Sequence, residues 1–285
     1  MIYKLICRNT PAIGNFVFHL CHAILLAKYN KCKLIIPVNN SLKFLYSNDI
    51  VIDFREHTDV DEDNIVILND YFIHPSPIIS DKYTFYDKYT CINKYFLSNI
   101  KVENYKRTDK DTLVIHIRSG DIFKEGGANT KYAQPPLSYY TNIINTYKYK
   151  KIIILTNKAS QIQKKFSKNL LNPVVKPLLE MYSYIELQNK ESLEYDFGTL
   201  CNCYNLVISR GSFSNIVSIL NKNLINLYIP IFNSNPDGNF GNNMYPISNN
   251  YNFNIIKDSE SINYGNNMYY WKNTEKQRSL MTLLM

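Results

Sequence analysis

The chain alternates short apolar runs with stretches in which apolar residues recur at helical spacing, and this alternation predicts an α/β fold. An apolar run at 3–7 is followed by apolar positions three or four apart over 16–27, and then by a second run at 33–37. This pattern predicts a strand, a helix and a parallel strand joined by a right-handed crossover. Further apolar runs at 50–54 and 65–68 precede an aromatic-rich stretch.

The second half of the chain repeats the alternation more regularly. Its most strand-like segment is 112–118, which begins a series of apolar runs separated by segments of helical periodicity. Strands that alternate with helices in this way are typical of a parallel sheet. The further predicted strands lie at 151–156, 205–209 and 224–229, and the predicted helices lie at 137–147, 160–168, 192–204 and 213–220, with a short final helix from 275.

A polar stretch divides these two patterned segments. Charged and polar residues dominate 101–111, which is typical of a boundary between ordered segments. The sequence therefore predicts an N-terminal α/β domain over 1–108 and a second α/β domain over 109–230. The Asn-rich remainder, 231–285, is predicted to pack back on the N-terminal domain.

Composition and charge narrow the class of protein. Hydrophobic residues make up 45% and charged residues 20% of the 285 residues, which is typical of a folded globular chain. The net charge of +8 permits an anionic partner, either a nucleic acid or a nucleotide diphosphate. The lysines are scattered, and no recognition helix, zinc-finger spacing or RNA-binding signature accompanies them. Nucleic-acid binding is therefore the less favoured alternative.

Cysteine spacing and apolar length indicate neither a metal site nor a membrane span. The six cysteines are spread through predicted strands and helices, and Cys201-Asn202-Cys203 has no second pair or histidine at zinc-site spacing. The amino-terminal apolar run is too short for a signal-peptide core, and no later stretch reaches about 18 apolar residues. We therefore expect a soluble, cytoplasmic protein with buried free thiols, whose oligomeric state the sequence leaves open.

The strongest candidate for chemistry is the segment His116-Ile117-Arg118-Ser119-Gly120-Asp121, at the end of the most apolar strand. Ligands of open α/β sheets lie beyond the carboxyl ends of the strands, where Arg118 leaves the sheet. Its guanidinium is a permanent planar cation whose forked donors fit phosphate oxygens, and Gly120 allows a ligand to approach the backbone closely. The alternative is structural: an ion pair between Arg118 and Asp121, with His116 in the core.

A second candidate is the turn 209–214, between a predicted strand and the helix that it opens. Its hydroxyl groups and the free N–H groups at a helix N-terminus favour phosphate binding. The alternative is that Ser212 or Ser214 simply caps the helix.

The third candidate is Ile13-Gly14-Asn15, again before a predicted helix. It contains a single glycine and therefore differs from the dinucleotide-binding fingerprint. The alternative is a turn glycine followed by an asparagine N-cap.

In order and spacing, the three motifs resemble the fucosyltransferase superfamily that includes α1,2- and α1,6-fucosyltransferases and protein O-fucosyltransferases. Members carry an early Gly-Asn loop, a His-x-Arg-x-Gly/Thr-Asp strand end and a late Ser/Thr-Phe-Ser turn. The family phrase L-A-K-x-x-x-x-K-L-I is also present, as Leu26-Ala27-Lys28 followed by Lys33-Leu34-Ile35. The matches cover about 5–37 and 112–230. The chain departs from the family pattern at Arg210-Gly211, which looks like an insertion before the serine turn.

The resemblance implies two Rossmann-like domains facing across a cleft, the GT-B type, with 1–108 on the acceptor side and 109–230 binding the nucleotide sugar. It also implies an inverting, metal-independent transfer of L-fucose from GDP-fucose to a glycan hydroxyl. It implies that Arg118 binds the diphosphate and that His116 contacts the guanine or ribose. The remaining donor-binding residues that it implies are Gly14 and Asn15 from the N-terminal domain, and Gly120, Ser212, Phe213 and Ser214 around the phosphates.

Two further positions depend on the same resemblance. The family has an aspartate ten residues before its Leu-Val strand, and Asp196 stands at that distance here, where its carboxylate would suit the paired donors of guanine. The alternative for Asp196 is a helix N-cap. The segment 132–140 stands where α1,2-type enzymes have a shorter passage, and it either lines the acceptor cleft or caps a helix.

Fucosyl transfer needs fixed positive charge where negative charge develops on the departing diphosphate. One cation with several hydroxyl or N–H donors can supply it without Mg²⁺, and Asp59-Val60-Asp61 lies in an irregular acidic stretch unlike a metal motif. By position, the base for the acceptor hydroxyl is Asp121 or Glu125. The alternatives to an enzyme are a non-catalytic nucleotide- or carbohydrate-binding module and a basic nucleic-acid-binding protein.

Overall fold

The structure is a computed structural model in which the chain forms two compact units. One unit comprises Met1–Asn104 with Asn215–Leu220, and the other comprises Tyr105–Ser214 with Asn221–Met285. The structure describes residues 2–6, 13–38, 43–55, 65–69, 85–96, 99–100, 107–123, 133–156, 171–188, 192–230, 254–258 and 271–283.

The first unit contains a four-stranded sheet. Its strands are β1 (Ile2–Ile6), β2 (Lys33–Ile36), β3 (Ile50–Asp53) and β4 (Ile65–Asn69), in the spatial order β3-β2-β1-β4. Strand β1 is parallel to both of its neighbours, and β3 is antiparallel to β2. Helix α1 (Ile13–Tyr29) connects β1 to β2, as the apolar pattern predicts, and α2 (Phe85–Tyr95) lies in the aromatic-rich stretch.

The second unit contains a six-stranded sheet in which all neighbouring strands are parallel. Its spatial order is β10-β9-β8-β5-β6-β7, so the chain starts near the centre, winds outward to one edge, and returns to the other side of β5. This is the doubly wound Rossmann order, with its reversal between β5 and β8. The strands are β5 (Thr112–Ile117), β6 (Lys151–Thr156), β7 (Ile185–Leu187), β8 (Asn205–Val207), β9 (Asn226–Pro230) and β10 (Asn254–Asp258).

Helices connect most of these strands. They are α3 (Leu137–Tyr147), α4 (Val175–Met181), α5 (Leu193–Cys201), α6 (Ser212–Leu220) and α7 (Glu275–Thr282). All six residues of β5 are buried, as expected of a central parallel strand with both faces covered. The predicted α/β class is therefore confirmed, and the four predicted strands of this unit lie within two residues of their predicted bounds. The helix predicted at 160–168 falls outside the described residues.

The described part of the Asn-rich tail belongs to the second unit. Strand β10 extends its sheet beside β9, and the fully buried Trp271 packs edge-to-face on Phe123 with 5.6 Å between ring centroids. The Trp271 indole N–H donates to the Ile122 carbonyl at 2.7 Å, and the Asn273 amide donates to the Phe123 carbonyl at 2.6 Å. In the described residues 254–258 and 271–283, these contacts complete the sheet and core of the second unit. That 231–285 packs back on the N-terminal domain stays a prediction.

Three asparagines join the amino ends of the strands in one half of this sheet. Asn205, Asn226 and Asn254 are aligned in register at the starts of β8, β9 and β10. The Asn254 amide donates to Asn226 at 3.2 Å and the Asn226 amide donates to Asn205 at 2.8 Å. The Asn205 amide then donates to the carbonyls of Lys110 and Thr112, at the start of β5. This asparagine ladder holds the register of four strands, since a one-residue slip would separate every pair.

Candidate functional site

The carboxyl ends of β5 and β8 lie side by side at the reversal of the six-stranded sheet. Arg118 follows β5, and the turn 209–214 follows β8 and leads into α6. The backbone N–H of Arg118 donates to Ser209 Oγ at 3.1 Å. Ligands of doubly wound sheets bind outside such a reversal. The structure therefore brings together two of the three motifs that the sequence indicates.

The Arg118 side chain lies directly against Gly211 of this turn. A Cβ atom at Gly211 would stand 3.1 Å from Nη1 and 3.4 Å from Cδ of Arg118, so any larger residue would press on the arginine. Gly211 also has a φ of +158°, which residues with a side chain rarely adopt. The glycine by which the chain departs from the family pattern is thus the residue that permits this close approach.

The Arg118 guanidinium also pairs with Asp121. Its Nη2 donates to both carboxylate oxygens, at 3.2 and 3.1 Å. The ion pair that the structural alternative predicts is therefore present. However, the Asp121 side chain is 67% exposed, against 21% for Arg118, so water weakens the attraction from the carboxylate side. An anion arriving from solution can compete for the same guanidinium.

His116 lies under the site as a buried, neutral imidazole. Its Nδ1 is 3.5 Å from Ser209 Oγ, and its ring centroid is 5.4 Å from that of Phe213. Burial lowers the pKa of His116 to about 4, and the positive charge of Arg118 lowers it in the same direction. Because Ser209 Oγ already accepts the Arg118 N–H, its own proton is available for Nδ1. His116 thus occupies the core position of the structural alternative, while its contact with a base or ribose stays a prediction.

The lowered pKa of His116 predicts a specific loss of stability in acid. Because the unfolded histidine titrates near 6.5 and the folded one near 4, the unfolded chain binds the extra proton between these values. The contribution is complete above pH 6.5 and is lost as the pH falls towards 4, by about 3 kcal/mol in total. Urea unfolding of the wild type and of His116→Gln at pH 7, 6, 5 and 4 should show this extra loss in the wild type alone. Parallel curves for the two proteins would contradict it.

The serine turn differs in part from its predicted role. Helix α6 begins at Ser212 with Gly211 as its N-cap, so neither serine of the capping alternative occupies the N-cap position. Ser214 is fully buried, and its hydroxyl donates to the Ser209 carbonyl at 3.2 Å. The Ser214 hydroxyl is therefore engaged within the turn, and its contact with the phosphates stays a prediction. The Ser212 side chain lies outside the part that the structure describes.

Asp196 lies in the first turn of α5, beside this site. The N-cap of α5 is Ser192, whose hydroxyl accepts the Tyr195 N–H at 3.3 Å, so the capping alternative for Asp196 is wrong. The next residue, Phe197, has its ring centroid 6.5 Å from that of Phe213. The first turn of α5 therefore packs next to the serine turn, and the guanine contact of the half-buried Asp196 stays a prediction.

The remaining predicted residues are placed only in part. Helix α1 begins at Ile13, so Gly14 and Asn15 lie inside its first turn, and the prediction of a turn before the helix with an Asn15 N-cap is wrong. Gly14 is buried, whereas the Asn15 side chain falls outside the described atoms. Glu125 and the acidic stretch 59–61 also fall outside the described residues.

Side chains just before and at the start of α3 hold the backbone around the serine turn. The Gln134 amide donates to the Arg210 carbonyl at 3.2 Å, and the Tyr139 hydroxyl donates to the Ile208 carbonyl at 3.4 Å. Pro136 is the N-cap of α3 and makes no side-chain cap bond. By position the segment 132–140 therefore caps the helix, and the lining of an acceptor cleft stays a prediction. Its described residues also hold the backbone around the serine turn.

The sequence analysis missed Asn172, whose amide donates to the Arg118 carbonyl. It gave no individual role to Ser209 and Gln134, although they lie in the segments 209–214 and 132–140 that it singled out. Ser209 carried a detectable signal, since it begins the turn that follows a predicted strand. Gln134 is fully buried and Asn172 is 1% exposed, but neither belongs to a motif of recognisable spacing. Their roles follow only from the crossing of distant chain segments.

The described residues also bear on metal binding and on membrane insertion. In that part of the chain no group of three or more His, Cys, Asp or Glu side chains could hold a metal ion. None of its helices combines the length and apolar character needed to cross a membrane. Comparison of the chain with protein-family models, curated proteins and solved structures finds no match in any of the three.

Proposed function

We propose that the chain is a glycosyltransferase that uses a nucleotide diphosphate sugar, specifically an inverting, metal-independent fucosyltransferase with GDP-fucose as donor and a glycan hydroxyl as acceptor. The observation that carries the proposal is the position of Arg118 against Gly211 at the sheet reversal. A permanent cation and the start of α6 meet there, and both favour a bound phosphate. The fucosyl specificity and the GT-B arrangement depend on the family resemblance of the motifs.

In this proposal Arg118 acts on the leaving group. As the bond from the sugar to the diphosphate breaks, negative charge grows on the phosphate oxygens and the sugar becomes oxocarbenium-like. The backbone of Arg118 is held at the end of β5 by Ser209, so the guanidinium is already near the place where it stabilises that charge. The N–H groups of the first turn of α6 add further donors at the same place.

The acceptor hydroxyl needs a base, and Asp121 and Glu125 are the candidates by position. The exposed carboxylate of Asp121 is paired with Arg118, the group that would hold the diphosphate. Donor binding would therefore displace Asp121 from the arginine and release its carboxylate for the acceptor. This sequence of events makes Asp121 the better supported of the two bases.

A thermal-shift series tests the proposal. We expect GDP and GDP-fucose to raise the melting temperature by about 5 to 10 °C at a hundredfold excess over Kd, and UDP, CMP and their sugars to have little effect. EDTA should leave the shift unchanged. Release of GDP from GDP-fucose in the presence of a mixture of glycans then separates an enzyme from a binding module, which would bind the donor without turnover. A melting temperature unmoved by every nucleotide would overturn the proposal.

The Asp121→Asn variant tests the competition for Arg118. Because this substitution removes the carboxylate that occupies the guanidinium, GDP should bind about two- to fivefold more tightly than in the wild type. Turnover should fall at the same time, by about a hundredfold or more, because the base is lost. Asp111→Asn is the matched control, since Asp111 pairs with Lys150 before β5 and β6, at the opposite ends of strands in the same sheet. Unchanged GDP affinity by calorimetry would refute the competition.

A further inference from the structure

The backbone of Arg118 is fixed from two sides by side chains of distant segments. Its N–H donates to Ser209 Oγ at 3.1 Å, and its carbonyl accepts the Asn172 side-chain amide at 3.0 Å. The two partners are 91 and 54 residues away along the chain. With both peptide groups held, the direction in which the side chain leaves the backbone is also held.

Asn172 belongs to a buried polar network at the carboxyl ends of β5 and β6. Its backbone N–H donates to Ser119 Oγ at 3.0 Å, and Ser119 Oγ lies 2.7 Å from Thr156 Oγ1. Ser119 and Asn172 are each 1% exposed, and Thr156 is 9% exposed. A buried network whose members satisfy one another is rigid, and loss of one donor leaves an acceptor without a partner.

Asn172 also has a local role, which has to be separated from any role in the site. Its Oδ1 accepts the Val174 N–H at 3.1 Å and so stabilises the turn that enters α4. Aspartate keeps that oxygen and loses only the Nδ2 donor. The substitution Asn172→Asp therefore preserves the local turn and removes the bond to the Arg118 carbonyl.

We propose that Asn172 is a positioning residue for the phosphate-binding arginine: its amide orients Arg118 so that the guanidinium lies over Gly211, where the donor diphosphate binds. The inference rests on the proposed function. It assigns to Asn172 no contact with the substrate, since its side chain is buried and all four of its polar groups are engaged within the protein.

The chain offers a matched control in Asn221. This residue is 3% exposed, its Oδ1 accepts the N–H of Asn223 two residues on, and its amide donates to the carbonyls of Leu200 and Cys203. These carbonyls precede β8, so the bonds lie at the amino edge of the sheet, away from the carboxyl ends. Asn221→Asp therefore repeats the chemical change of Asn172→Asp at a place where no diphosphate is proposed.

The test is a calorimetric titration of GDP into six proteins. They are the wild type, Asn172→Asp, Asn172→Ser, Asn221→Asp, Arg118→Ala and the double variant Arg118→Ala/Asn172→Asp. We expect both Asn172 variants to raise Kd about tenfold and Asn221→Asp to leave it within about twofold. Asn172→Ser keeps an uncharged oxygen for the local turn and covers the case in which the buried carboxyl prevents folding. In the Arg118→Ala background, Asn172→Asp should have no further effect, because Asn172 acts through the arginine.

The outcomes separate the two proposals. If the wild type shows no GDP binding that depends on Arg118, both the proposed function and this inference fail. If the wild type binds and Arg118→Ala weakens binding, the function stands and Asn172 is tested alone. An unchanged Kd in the Asn172 variants, or a loss that persists without Arg118, then overturns the positioning role. A tenfold loss of GDP affinity that occurs only when Arg118 is present supports the positioning role.

Discussion

Replacing Arg118 with alanine should lower turnover of a GDP-sugar donor by about a hundredfold to a thousandfold. The side chain is the cation packed on Gly211 at the sheet reversal, so its loss removes fixed positive charge from the place where the diphosphate would depart. Stability should change little, because the ion pair with Asp121 is open to water and such pairs contribute about 0 to 1 kcal/mol. In this variant turnover should therefore fall while the urea midpoint stays close to that of the wild type.

Two further substitutions show whether charge alone explains that loss. Arg118→Lys keeps the charge and loses the forked donors, so an intermediate loss is expected. Lys150→Ala removes one positive charge before β6, where Lys150 pairs with Asp111, and it should leave turnover unchanged. Turnover of Arg118→Ala within about threefold of the wild type would exclude the catalytic role assigned to the arginine.

Replacing Trp271 with alanine should lower the free energy of unfolding by about 3 to 5 kcal/mol. Trp271 is fully buried against Phe123 and donates to the Ile122 carbonyl, so its removal leaves both a cavity and an unpaired carbonyl. Those two partners belong to the helical turn Asp121–Phe123, which begins with the counter-ion of Arg118. The substitution should therefore also weaken GDP binding, although the tail itself touches no substrate in the proposal.

Controls within the tail separate packing from the hydrogen bond. Trp271→Phe keeps most of the buried ring and loses the N–H donor, so a loss of about 1 to 3 kcal/mol is expected. Leu283→Ala changes a half-exposed side chain of the same segment and should fall within about 0.5 kcal/mol of the wild type. Urea unfolding followed by circular dichroism measures all three, since Trp271 is the chain's single tryptophan. A loss below about 1 kcal/mol in Trp271→Ala would contradict its place in the core.

The apolar pattern of the sequence located the strands and helices whose buried positions follow a regular period. Strand β5 is buried along its whole length and is apolar except for Thr112 and His116, so its position could be predicted closely. Strand β10 has only two isoleucines among polar residues, and α4 follows a stretch without clear periodicity. Such elements form because the rest of the sheet is already in place, and a local pattern cannot express that dependence.

The candidate site likewise combines residues that have a local sequence signal with residues whose roles depend on tertiary packing. Arg118 and the serine turn could be found from the sequence because strand ends and glycine-containing turns have local signatures. The inward orientation of the Ser214 hydroxyl depends on how α6 meets β8, and the role of Asn172 depends on a segment that crosses the end of β5. Both are consequences of tertiary packing, so residue type and spacing did not reveal them.

The asparagine ladder makes the amino ends of β8, β9 and β10 less sensitive to salt than the carboxyl ends of the strands. Amide groups carry no net charge and do not titrate, so neither acidification nor added salt should loosen the asparagine ladder at the amino ends of β8, β9 and β10. The carboxyl ends of the strands carry the ion pair between Arg118 and Asp121, which added salt screens. Added salt should therefore weaken the attraction of the candidate site for an anion while the pairing of those three strands persists.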